Sequence, residues 1–229
     1  MRLFRPGFIG SCLYPEALFR IRTTEKLICL TFDDGPDPVS SPQLLDILNK
    51  YDVKALFFCD GRAAENYPYL IEMIKSKGHL IGNHGYSHLN GWKTSVKRYI
   101  ADIENAEGYT SSYLFRPPYG HLRPGQYRKL KEKYMIVFWD IMPYDFDKSF
   151  SSEDSLKVLF MKLRPGSVIV LHDQPQSTII PVLHKVIETA IQRGYRFVLP
   201  PAPSLRRATL YTHLFKYSLI DRLIENNKK

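Results

Sequence analysis

The stretch "LTFDDGPDP" at residues 30–38 sets Asp33 and Asp34 side by side at the end of an apolar run. Neighbouring carboxylates repel, so the pair needs a compensating cation or a use for the repulsion. The segment "NHGYSH" adds His84 and His88, four residues apart. On one helical turn that spacing aims both imidazoles to the same side. Two imidazoles and one carboxylate leave an open position on a catalytic Zn²⁺ or similar ion. In that arrangement Asp34 ligates the ion and Asp33 stays beside it as a general base, the cation keeping both ionised. Arg116, in "LFRPPYG", precedes two prolines that stiffen its backbone, and a bidentate contact with Asp33 would orient the base. His172 closes the run "VIVLH", where it could protonate a leaving group. A carboxylate such as Asp145 would favour the charged form of that imidazole and set its tautomer.

Taken singly, each feature has an ordinary alternative. "DDGPDP" is full of turn formers, and two histidines four apart are commonly a surface pair. Arg116 could form a plain surface ion pair, and a lone histidine at a strand tip is more often structural. The argument for chemistry is where they all fall. Short β-branched and aromatic runs occur at 26–32, 53–58, 79–83, 112–117, 134–139, 167–172 and 195–199. Their lengths and residue types suit buried strands. Amphipathic stretches lie between them, at 41–51, 63–78, 95–109, 123–134, 151–166 and 178–194. Ser41 and Pro42 read as the N-cap and first position of the first of these, and Pro181 as part of the first turn of the last. Strand followed by helix, repeated, argues for parallel strands joined by right-handed crossovers. No Gly-rich dinucleotide loop follows the first strand, which disfavours a Rossmann domain. Asp33, Asp34, His84, His88, Arg116, Asp145 and His172 then all sit at or just past C-terminal strand ends, the face where α/β barrels assemble active sites.

Composition bounds the rest. A chain of 229 residues suits one large domain or two small ones. The net charge of +9 is spread along the chain without a Lys/Arg block, so it favours anionic partners in general and no nucleic acid in particular. Cys12, Cys29 and Cys59 are too few for a disulfide framework, and Cys29 and Cys59 lie in apolar runs as buried free thiols. No run reaches the length of a spanning helix. The N-terminal "GFIGSCLY" is short for a signal peptide, and peripheral membrane contact stays open. Localisation is left between the cytoplasm and the cell envelope, and the oligomeric state is not legible.

Five segments in order are similar to one family: "TFDDGP" (31–36), "HGYSH" (84–88), "RPPYG" (116–120), "WDIMPYDF" (139–146) and "VIVLHD" (168–173). Together they resemble the polysaccharide deacetylases, the NodB-homology domain of carbohydrate esterase family 4. The resemblance implies an α/β fold, a distorted, TIM-like (β/α)7 barrel in a single domain over residues 26–200. Residues 1–25 and 201–229 lie outside the resemblance and read as an N-terminal extension packing on the barrel and as a connector and helix. By position it implies Asp33 as catalytic base, and Asp34, His84 and His88 as ligands of a divalent metal ion, Zn²⁺ with Co²⁺ or Ni²⁺ as alternatives. Arg116 holds the base, the Tyr119 backbone N–H stabilises the oxyanion, and Asp145 tunes the catalytic acid His172. Trp139 and Phe146 wall the substrate pocket. The chain departs from the family pattern at Gly85, where Ser or Thr is usual, at Met142 for Asp, and at Phe146 for Trp. The expected activity is removal of N-acetyl groups from an N-acetylglucosamine-containing glycan, releasing acetate. O-acetyl ester hydrolysis and a non-catalytic carbohydrate-binding relative are the alternatives.

Overall fold

The structure is a computed structural model and describes residues 7–200. Its first strand, β1 (Leu27–Asp33), shows how the sequence builds both core and site. Side chains alternate along a strand, so odd and even positions face opposite ways. Ile28, Leu30 and Phe32 point outward into the main core, where α2 (Ser40–Lys50) contributes Leu44, Leu45 and Leu48. Cys29, on the other face, meets Leu56, Phe58, Leu114, Val137 and Val168 in the interior. Thr31 and Asp33 share that inward face, and both are buried.

The remaining strands are β2 (Leu56–Cys59), β3 (Leu80–Asn83), β4 (Leu114–Phe115), β5 (Met135–Ile136), β6 (Val168–His172) and β7 (Arg196–Phe197). They run parallel in the order β5-β4-β3-β2-β1-β6, with β7 on the start of β1. The sheet curls until its ends meet: beyond β5, Ile141 bridges Ile169 of β6, and the Asp140 N–H donates to Val168 O at 2.8 Å. This is a distorted (β/α)7 barrel. Register carries the functional consequence. Asp33 stands opposite His172, Cys59 opposite Asn83, and Asn83 opposite Phe115. The strand ends that precede His84 and Arg116 are therefore level with the one that carries Asp33.

The described part of the N-terminal extension includes α1 (Gly7–Leu13) and runs along the barrel. The Leu18 N–H donates to Ile136 O at 2.8 Å, and Phe19 stacks on Phe138 with ring centroids 4.7 Å apart. Residues 1–6 and the connector and helix expected over 201–229 lie outside the described residues. Cys29 and Cys59 are buried free thiols, and Cys12 is exposed. Among the described residues no helix is long and apolar enough to cross a membrane.

The structure corrects several local readings. Helix α2 begins at Ser40, with Val39 in the cap position, so Ser41 lies inside it. The helix read over 63–78 is two, α3 (Gly61–Asn66) and α4 (Pro68–Ser76), broken at Tyr67. Pro68 has no N–H to continue the first helix, and it restricts the residue before it. Pro181 sits in a 3₁₀ turn, Ile180–Val182, ahead of α8 (Leu183–Gln192). The other helices are α5 (Val96–Thr110), α6 (Pro124–Leu130) and α7 (Ser152–Lys162).

Candidate active site

Arg116 follows β4 and turns its side chain back into the barrel, where it is fully buried. Its Nη1 donates to Asp33 Oδ1 at 2.6 Å and to Thr31 Oγ1 at 2.7 Å. Its Nε and Nη2 donate to Val137 O and Phe138 O, and its guanidinium lies 4.2 Å from the centroid of the Phe58 ring. The expected bidentate contact with Asp33 is not formed, because the carbonyls of Val137 and Phe138, just past β5, take the other nitrogens. The pair is also not a surface one. A charge taken out of water needs hydrogen bonds on every side, and here the backbone supplies them. The contact leaves Asp33 Oδ2 as the oxygen that faces His84 Nε2, at 3.9 Å.

The next residue on the chain from Asp33 turns the other way. Asp34 has φ +74, a left-handed conformation that aims its carboxylate at the histidines. Its Oδ1 lies 3.4 Å from His84 Nε2 and 3.1 Å from His88 Nε2. One donor atom from each of the three falls within 4.8 Å of the others. His84 Nδ1 lies 2.8 Å from Arg116 O, so that nitrogen carries the proton and Nε2 presents a lone pair. Two imidazole nitrogens and a carboxylate oxygen, with one ring held by a carbonyl, fit a divalent transition ion. Before an ion takes those lone pairs, protonated His84 and His88 donate to Asp34; burial opposes the charge on Asp34, but these hydrogen bonds outweigh it and hold the carboxyl well below the usual range.

The two histidines do not sit on a helical turn. They belong to the loop after β3, which takes left-handed conformations at Gly85 (φ +80) and His88 (φ +50). Asn83 Oδ1 accepts from the Gly85 N–H at 2.7 Å, and the Asp102 carboxylate of α5 accepts from the Tyr86 and Ser87 N–H groups. These bonds brace the loop in which Gly85 stands where Ser or Thr is usual. A Cβ on Gly85 would stand 3.0 Å from Asp102 Oδ2, so glycine belongs to this version of the loop.

At the end of β6, His172 Nδ1 lies 2.9 Å from Asp145 Oδ1, while its backbone N–H donates to Asp145 Oδ2. Ser177 Oγ donates to the same Oδ2 at 2.6 Å. Burial works against a charge on His172, but Asp145, helped by Asp34 and Asp33, pushes the imidazole up to about 9. Nε2 is left as the ring nitrogen open to chemistry. Phe146 packs edge-on against this ring at 4.6 Å.

Tyr119 completes the set. It holds φ +60 without being glycine, pinned by hydrogen bonds from Gly120 N to Pro117 O and from His121 N to Pro118 O. Among the described residues, no backbone acceptor pairs with its own N–H. A cleft of about 550 Å³ brings together Asp33, Asp34, His84, His88, Tyr119 and His172. Trp139, Met142 and Phe146 line it as well. Trp139 packs on Gly120, where a Cβ would meet its ring at 2.5 Å. Every residue singled out in the sequence therefore lies in this cleft or, for Arg116 and Asp145, directly behind it.

Sequence reasoning missed the residues that hold these in place. Thr31 was legible, since strand alternation puts it on the face of Asp33. Asn83 adjoins His84, but nothing marked its side chain as a brace. Gln174 donates its amide to Asp34 Oδ2, and Ser40 and Ser41 donate to the buried Asp173 carboxylate, whose proton affinity burial raises to about 6. Asp102 and Ser177 carry no local signal, because their partners come from other elements.

A family model described as polysaccharide deacetylase matches residues 20–138. A peptidoglycan-N-acetylglucosamine deacetylase of Bacillus cereus is 32% identical over 189 residues, covering 79% of this chain and 89% of the relative. A second Bacillus cereus protein of the same name is 36% identical over 186 residues, covering 76% of this chain and 67% of its own length. Among solved structures, a peptidoglycan N-acetylglucosamine deacetylase superposes with a TM-score of 0.78 at 32% identity, over 83% of this chain and 93% of that one.

Proposed function

The chain belongs to the polysaccharide deacetylase family, and from that premise we propose that it is a metal-dependent hydrolase. It removes N-acetyl groups from an N-acetylglucosamine-containing glycan, and peptidoglycan-type chains are the favoured class because both named relatives act there. Such a substrate carries with it a place at the cell envelope. One observation supports the reading above all. A base candidate tied to arginine and an acid candidate tied to carboxylate stand opposite each other in register, over one Asp-His-His cluster.

Each residue has a task that its surroundings fit. Asp34, His84 and His88 would hold the ion, Zn²⁺ or alternatively Co²⁺ or Ni²⁺. When bound, such an ion supplies Lewis acidity toward a carbonyl and lowers the pKa of water. Asp33 takes a proton from the attacking water through Oδ2, while Arg116 holds Oδ1. The Tyr119 N–H donates to the oxygen on which negative charge develops. His172, protonated and oriented by Asp145, gives its proton to the departing nitrogen. The amide C–N bond breaks, leaving acetate and a free amine. Trp139, Met142 and Phe146 keep the acetyl end of the cleft apolar.

The test is acetate release from N-acetylglucosamine oligomers and from acetylated xylan, with and without chelator. Release from the oligomers that chelation stops is expected. Asp33→Asn should lower turnover by about 10²–10⁴-fold while metal affinity is kept. Undiminished turnover in that variant would refute the assigned base. Faster release from xylan would move the assignment to ester hydrolysis, and stoichiometric metal without any hydrolysis would point to a non-catalytic binder.

A further inference from the structure

Trp92 is a large apolar side chain left 56% exposed, yet the turn that carries it is tightly built. It lies in the 3₁₀ turn Gly91–Lys93, where Asn90 Oδ1 accepts from the Trp92 N–H at 3.0 Å. Gln126 Nε2 donates to Gly91 O at 2.9 Å, and the Arg123 guanidinium donates to Trp92 O. Gly91 is pressed so close to the next segment that a Cβ would stand 2.0 Å from His121 O. The indole stacks on the His121 ring at 3.6 Å between centroids and 8° between planes. Asn90 Nδ2 meets His121 Nδ1 at 2.8 Å, so the His121 ring and the Trp92 backbone are tied to one side chain.

The position of this stack gives it meaning. His121 lines the reaction cleft. Its ring is 5.9 Å from Tyr119, itself 57% exposed, and Tyr119 is 4.6 Å from the His88 ring. Aromatic rings thus continue from a proposed metal ligand, past the oxyanion donor, to Trp92 outside the cleft. The face of an aromatic ring is electron-rich. The C–H groups on a pyranose face are polarised by neighbouring oxygens and pack on such a surface. A rigid aromatic side chain also costs little to order on binding. We infer that Trp92 and His121 form a sugar-stacking subsite that holds a unit of the glycan beyond the one adjoining the sugar being deacetylated, out of reach of a dimer. The inference rests on the glycan reading above, and it makes the enzyme selective for chains over short fragments.

The experiment compares wild type, Trp92→Ala and Trp92→Phe on three probes: an N-acetylglucosamine tetramer, the dimer and a small aryl acetate. Trp92→Ala should lose about tenfold in kcat/KM on the tetramer, with the dimer and aryl acetate unchanged. Trp92→Phe should keep most of the tetramer rate. Equal rates for wild type and Trp92→Ala on the tetramer, or an equal loss on all three probes, would overturn the subsite. Calorimetric titration with the tetramer separates this from the deacetylase reading. If wild type releases no acetate but binds the tetramer more tightly than Trp92→Ala does, the subsite stands while that reading falls. Equal affinities sink the subsite whatever the activity.

Discussion

At His172 two effects oppose each other: burial disfavours the imidazolium, and the Asp145 carboxylate favours it. The carboxylates win, and the group rises from 6.5 to about 9. A general acid works only while protonated, so kcat should fall as pH rises through that region. An ion at Asp34 offsets the shares of Asp33 and Asp34, which sets about 9 as the upper bound for the limb. Asp145→Asn removes the main favourable partner while burial remains, so the alkaline limb of a kcat profile should shift acidward. A limb that stays in place would show that another group titrates. For stability the sign is the same. The pair's contribution is complete below 6.5 and is lost as pH rises through about 9. Arg116 makes the companion case. Arg116→Met leaves Asp33 buried without its cation, at a cost of about 3–5 kcal/mol. Urea denaturation checks it, and a variant as stable as wild type would mean that Asp33 does not depend on Arg116.

The loop after β3 shows how an element, rather than a residue, makes a ligand pair. The spacing of His84 and His88 reads as one helical turn, but a loop brings the rings together instead. Left-handed Gly85 and His88 decide for the loop, and Asp102, reaching across from α5, accepts the Tyr86 and Ser87 backbone N–H groups. Asp102→Ala should therefore weaken metal binding by about tenfold or more. Turnover should drop at limiting ion and recover when ion is added in excess, as followed by chelator competition. Unchanged affinity would show that the loop holds its shape without this brace. The strands were legible as elements, yet "SYLFRP" yields only Leu114–Phe115 as strand, because pairing at the rim of a distorted barrel ends early. Pro68 could have been read as a break in the 63–78 segment, whose amphipathic pattern ran on through it.

For the whole molecule, the site is a product of closure. The bridge from Ile141 to Ile169 brings the segment carrying Trp139, Asp145 and Phe146 against β6, and so against His172. The proposed ligands come from the ends of β1 and β3, so an ion bound there would cross-link elements distant in the chain. Saturating ion should raise the unfolding temperature, and at a hundredfold excess over Kd the gain is about 2.7 kcal/mol. Thermal melts with and without chelator test this, and coincident melts would argue against an ion at Asp34, His84 and His88.

The order of the strands and the placement of the polar residues at C-terminal strand ends were determined by the sequence itself. Those are local properties: periodicity, run length and which residue follows a buried run. The path of Arg116 through the barrel, the single rather than double contact with Asp33, the loop geometry of the histidines and the bracing by Asn83, Asp102, Gln174 and Ser177 were decided by the tertiary structure. Each depends on register and on which elements become neighbours. Competition for a buried guanidinium or carboxylate is settled only when strands and loops distant in the chain are packed together.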